Sequence, residues 1–259
     1  MSNAPKKRLR TATIVLALTA LGALAVSASQ AQIVKSGNLQ IEIEGDFAPK
    51  ALPKAKHAPI KLEVEGSMET LDKSHVPATK ELYLEFDRNG KLYTKGLASC
   101  TVGKLQSTLT AQARQACGKA LIGTGRVTAE IALPEQRPFS AGGPLLIFNG
   151  SKGGKQELIF HVYANVPAPT TVVTTAKIGK GKGPYGTSAR VKIPSITSGQ
   201  GSLTSFKATL KKSWSSKGKK QNLLLAKCPS GSLKARGDIK FVSGAKLSGQ
   251  IVKSCTPKG

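Results

Sequence analysis

Period-two alternation of apolar and charged residues constrains this chain more than any other feature, and the stretch from Glu81 to Cys100 carries it most clearly. Leu82, Leu84 and Phe86 fall on one face of an extended segment, and Glu81, Glu85 and Asp87 fall on the other. A helix would scatter these residues, whereas a strand sorts them into a core face and a solvent face. Asn89-Gly90 follows, and both residue types tolerate the positive φ that a tight hairpin requires. The spacing predicts a strand, a turn, and a return through Leu92 and Tyr93 that ends at Cys100.

The same alternation recurs along the chain. Leu39, Ile41 and Ile43 alternate with Gln40, Glu42 and Glu44; Ile60, Leu62 and Val64 alternate with Lys61, Glu63 and Glu65. Between these two runs, the Pro- and Lys-containing segment 48–59 reads as an extended surface loop, because proline removes ladder donors. Val127, Ala129, Ile131 and Leu133 form another strand. Pro144–Phe148 and Glu157–Tyr163 flank a Gly-rich tip, and Ile239–Val242 with Leu247–Val252 form a last hairpin. Phe206, Ala208 and Leu210 alternate with Lys207, Thr209 and Lys211. One segment breaks the pattern: residues 107–121 are rich in Ala, Gln, Arg and Leu, and Leu109, Ala113, Ala116, Cys117 and Ala120 recur at helical spacing. The fold class is therefore mainly β, as two antiparallel β-sandwich-like modules with one helix in the first. Val166-Pro-Ala-Pro-Thr, a stiff extended connector, marks the boundary between a module of residues 32–166 and a basic module of residues 167–259. Leu82–Cys100 and Phe206–Cys228 each run strand, basic turn, return strand, Cys; duplication and coincidence both account for that echo.

The first 31 residues have the order of a signal peptide. Lys6, Lys7, Arg8 and Arg10 precede an apolar run from Thr11 to Val26, and Ser29 and Ala31 are the small residues of a cleavage site. Removal of that segment leaves 35 basic residues against 14 acidic ones. The charge is uneven: ten of the 14 acids lie between Glu42 and Asp87, and from Thr170 onward Asp238 is the only acid against 18 Lys and Arg. The four cysteines suit an oxidising compartment. Their positions favour Cys100–Cys117 and Cys228–Cys255, with free thiols as the alternative; no Cys-x-x-Cys and no His near a Cys points to a metal.

Phe86-Asp87-Arg88-Asn89-Gly90, the Cys100/Cys117 pair around a helix, Pro138-Phe139, Phe148-Asn149-Gly150, His161-Val162-Tyr163, Tyr185-Gly186-Thr187 and Cys228-Pro229 together resemble a set of uncharacterised exported β-rich proteins of actinobacteria. The resemblance spans nearly the whole mature chain. It implies an exported β-protein and no known activity, and it transfers no catalytic residue.

The motifs of common catalytic classes are missing: no His-Glu-x-x-His, no Gly-x-Ser-x-Gly, no phosphate loop. His57 and His75 fall in Pro- or Lys-flanked loops and read as solvated; His161, between Phe160 and Val162, reads as a packed strand residue. The strand glutamates lack the spacing of a calcium loop, so no cofactor or metal is expected. The basic residues carry the remaining signal. Lys207 and Lys211 share a strand face, Lys217, Lys219 and Lys220 extend the following turn, and Lys180 and Lys182 come from a Gly-rich loop. These seven are the expected polyanion-binding residues, on one side of the second module. Few aromatics and no nucleic-acid fold signature point away from specific nucleic acid and toward teichoic acids, anionic lipid head groups or acidic polysaccharide. The expected function is a non-catalytic exported protein, binding or structural at the cell envelope. A secreted hydrolase acting on envelope material and a purely structural extracellular module are the alternatives.

Overall fold

The computed structural model describes residues 32–259, and the expected export segment lies outside the described residues. In chain order the strands are β1 (Gln32–Ser36), β2 (Leu39–Ala48), β3 (Ala51–Pro53), β4 (Ala58–Pro59), β5 (Lys61–Thr70), β6 (Thr79–Asp87), β7 (Gly90–Leu92), β8 (Leu121–Ile131), β9 (Phe139–Asn149) and β10 (Glu157–Ala164). They continue as β11 (Thr170–Lys180), β12 (Tyr185–Lys192), β13 (Gly201–Leu210), β14 (Ser213–Ser216), β15 (Lys219–Asn222), β16 (Leu224–Ala226), β17 (Ser232–Phe241), β18 (Lys246–Ser254) and β19 (Thr256–Lys258). Among the described residues there is one α-helix, α1 (Thr110–Cys117), between β7 and β8.

Twelve strands make one antiparallel sheet in the order β1-β2-β5-β13-β8-β9-β10-β11-β12-β6-β17-β18. The sheet curls until its edge strands face each other, with Val34 of β1 against Gly249 of β18. Its inner face holds a core of Ile122, Leu145, Ile147, Leu158, Ala176, Val191, Ala208 and Leu210. The fold is mainly β, as the alternation requires, but the boundary expected at 166/167 does not separate two sheets. β13, from the second expected module, lies between β5 and β8 of the first. β6, from the first, lies between β12 and β17 of the second. Neither half can close its core alone, because each lends a strand to the other's ladder.

The turn at Asn89-Gly90 also differs from expectation. Asp87 Oδ1 accepts hydrogen bonds from the Asn89 backbone N–H and from its Nδ2, both at 2.9 Å. That Asx turn redirects the chain without folding it back on β6. β7 pairs instead with β16, which also pairs with β4, in a separate three-stranded sheet. The second half of the echo does contain a hairpin, β14–β15, turned by Lys217 and Gly218 with φ of 51° and 72°. The Pro-rich segment 48–59 is likewise more ordered than a loop. β3 pairs in parallel with the C-terminal β19, and Leu52 is fully buried beneath the Cys228–Cys255 bridge.

Both favoured disulfides are present, with Cα–Cα distances of 5.7 Å for Cys100–Cys117 and 6.1 Å for Cys228–Cys255. The second closes a separation of 27 residues, worth roughly 3.5 kcal/mol on the chain-entropy argument. The helix is shorter than 107–121, at eight residues, because Ser107 takes a positive φ and the 3-10 turn Gly118–Ala120 follows it. It packs on the outer face of β9 and β10, where Ala113 and Cys117 meet Leu146, Phe148 and Ile159. β9 is thus buried on both faces, which explains its unbroken apolar run 145–148.

Candidate functional site

The ladder registers send every connection to one of two ends. Leu210 sits opposite Leu62 and Gly123, Leu121 opposite Phe148, Lys177 opposite Glu157, Tyr185 opposite Asp87, and Ser232 opposite Ser254. Segments 49–60, 88–120, 150–156, 181–184, 211–231 and 255–259 therefore all leave the sheet at the same end. They carry nineteen Lys and Arg and no Asp or Glu. The segments at the opposite end, 37–38, 71–78, 132–138, 165–169, 193–200 and 242–245, carry two bases, Lys73 and Arg137, and two acids, Asp72 and Glu135. The unevenness read along the sequence is a polarity in space, with one strongly cationic end and one neutral end.

The cationic end is closed from within by apolar side chains. Leu92, Leu97, Leu224 and Trp214 pack on the inner core, and Tyr93 stacks on Trp214 with ring centroids 6.0 Å apart. Burying these groups holds the small sheets over the mouth of the large one and leaves their lysines outward. Six of the seven expected binding lysines, Lys180, Lys182, Lys211, Lys217, Lys219 and Lys220, are exposed at this end. They are not on one side of it: β11, which leads into Lys180, lies four places from β13 in the sheet.

Lys207 stands apart. It projects mid-strand from β13 and bonds Glu65 Oε2 at 2.7 Å, a contact that raises its pKa through the hydrogen bond first and the charge of Glu65 second. It belongs to an acidic stripe. Glu44 and Asp46 of β2 lie directly opposite Glu65 and Glu63 of β5, a like-charge pairing that is unfavourable by itself. Each of these acids has its own lysine: Lys50 on Asp46, Lys61 on Glu63 at 2.7 Å, Lys207 on Glu65, and Lys253 at 3.8 Å from Glu44. Charge along these strands is matched locally, and the excess collects at the end. Among the described residues no group of three or more His, Cys, Asp or Glu side chains could hold a metal.

Two histidines hold structure together in different ways. His161 is fully buried under the segment before α1; its Nε2 lies 3.0 Å from the Thr108 carbonyl oxygen, which can only accept, so Nε2 carries the proton. His75 is not solvated, as its loop position suggested. Its Nδ1 lies 2.6 Å from Glu130 Oε1 and its Nε2 3.1 Å from Ser202 Oγ. This serine–imidazole–carboxylate chain ties the 71–78 loop to β8 and β13 at the neutral end. No sequence spacing announces it, because its three members are 55 and 72 residues apart. The Ser202 residue has no exposed surface. Replacing His75 by alanine strands that hydroxyl, and urea unfolding is expected to show a loss of about 1–3 kcal/mol. Glu85, placed by alternation on a solvent face, is buried as well and accepts from the Lys182 backbone N–H at 3.0 Å and the Tyr83 hydroxyl at 3.2 Å.

No family model, curated protein or solved structure matches the chain.

Proposed function

We propose that this chain is an exported, non-catalytic protein of the cell envelope that binds anionic polymers or lipid head groups through the cationic end of its curled sheet. The observation that carries the reading is the polarity of charge: nineteen bases without an acid in the segments leaving one end, against two of each at the other. Lysines without acidic neighbours attract polyanions by releasing their condensed counterions, whereas paired lysines such as Lys207 gain little. Export is supported by the N-terminal order of basic, apolar and small residues, and by two disulfides of a kind that persists in oxidising compartments. The test is binding of residues 32–259 to anionic and neutral vesicles, poly(glycerol phosphate) and duplex DNA at low salt, followed by a salt titration. Binding to the anionic probes alone, steeply lost with salt, is expected. No binding to any of them leaves a purely structural module.

A second reading, a hydrolase acting on envelope material, is favoured by the Ser202–His75–Glu130 chain, whose order of hydroxyl, imidazole and carboxylate is that of an activated serine nucleophile. The burial of Ser202 opposes it, since a substrate carbonyl could reach the hydroxyl only if the 71–78 loop lifted. A fluorophosphonate adduct on Ser202, absent from His75→Ala, would support the hydrolase. An unlabelled protein removes it.

A further inference from the structure

We propose that the outer face of the three-stranded sheet β4-β16-β7 is a phosphate-binding site formed by His57, Lys227 and Lys91, and that it engages single phosphodiester groups of the polyanion. The inference rests on the cationic-end reading and narrows it to one place and one chemical group.

The register builds the site. Ala58 of β4 pairs with Ala226 of β16, so His57 and Lys227, one step further on each strand, are cross-strand neighbours. Leu225 of β16 pairs with Lys91 of β7 on the other side. Alternation puts His57, Leu225, Lys227 and Lys91 on one face, with buried Ala226 on the other. Lys91 is exposed, while His57 and Lys227 are half-buried. Neither lysine makes an ion pair among the described residues. The nearest acids in sequence are occupied: Glu63 by Lys61, and Asp87 by Asn89 through Oδ1 and by the Lys234 backbone N–H through Oδ2. Lys54 and Lys56, just ahead of His57, are exposed and add to the same field.

Three cationic-type groups on one small face, without a carboxylate, repel one another. His57 reports it: burial first, and then the charges of Lys91 and Lys227, hold its pKa below the ordinary value. Among the described residues its buried Nε2 has no hydrogen-bond partner, which leaves Nδ1 as the ring nitrogen to meet an anion. A phosphodiester suits this geometry, because its two charged non-bridging oxygens each have lone pairs for more than one donor and can accept from both ammonium groups and the imidazolium at once.

The test follows the His57 ring proton by NMR in residues 32–259, with His75 as internal control. Inorganic phosphate at constant ionic strength is expected to raise the His57 titration midpoint by about half a unit and to leave His75 in place. In Lys91→Gln/Lys227→Gln the midpoint should already be higher, since the like charges are gone, and phosphate should no longer move it. Poly(glycerol phosphate) and phosphatidylglycerol vesicles, added separately, distinguish a polymer from a lipid as the source of the group. A His57 that responds to phosphate no more than to chloride overturns the proposal. If the double variant still binds poly(glycerol phosphate) as tightly as the parent, this site is refuted while the cationic-end reading stands.

Discussion

Alanine at Gly125 is expected to cost about 3 kcal/mol or more, among the largest losses available to a single methyl group in this protein. Gly125 lies on β8 opposite Ala208 of β13, and a β-carbon there would overlap the Lys207 carbonyl oxygen and press on the Ala208 Cα. The obstacle is main chain of a paired strand, which cannot rotate away as a side chain can. Gly143 on β9 repeats the arrangement against the Tyr163 carbonyl. These glycines let neighbouring backbones approach where the twelve-stranded sheet bends around its core, the role glycine kinks play in curved sheets. Gly103 is the control: a β-carbon there meets nothing within 4 Å and its φ is ordinary, so Gly103→Ala should be near neutral. Urea unfolding of the two variants decides it; equal midpoints would mean that the sheet is not bent as described.

The second large effect concerns the β14–β15 hairpin. Lys217, Lys219 and Lys220 are exposed, with no acid in residues 211–231. Lys217 sits at a φ of 51°, so asparagine is the neutral residue that fits the turn, while glutamine serves at the other two. The triple variant is expected to bind poly(glycerol phosphate) with the slope of log affinity against log salt reduced by up to about three, roughly one per lysine removed, and with unchanged stability. Lys207→Gln, by contrast, should barely change the slope, because that ammonium is already held by Glu65. An unchanged slope in the triple variant would remove the hairpin from the interface.

Much of this fold is legible in the sequence because one physical rule, alternation, specifies each strand locally. The strands 201–210 and 246–254 emerge near where the pattern puts them, and cysteine positions alone favour the observed bridges; strand 232–241 starts seven residues before the expected Ile239, where Lys234, Arg236 and Gly237 carry no apolar alternation. Strand order is not local. Nothing in residues 79–87 or 201–210 says that each will cross into the other half's ladder, and a Pro-rich connector looks the same whether it joins two domains or two strands of one sheet. Asn89-Gly90 shows the limit of a turn signal: the dipeptide turns the chain, but an Asx contact from Asp87 and a waiting partner in β16 decide where it goes. The candidate site was half visible. Six of seven chosen lysines lie at the cationic end, yet the end itself depends on which loops share it, as do His57 with Lys227 and His75 with Glu130 and Ser202.

Under the proposed function one end of the sheet meets a polyanion and the other does not. Hydrogen exchange of residues 32–259, with and without poly(glycerol phosphate) at low salt, tests it most directly. Slower exchange is expected in segments 88–100, 181–184 and 211–228, with no change in 71–78, 132–138 and 193–200. Protection confined to the neutral-end segments, or spread along the acid-matched strands β2 and β5, would mean that the cationic end is not the binding surface.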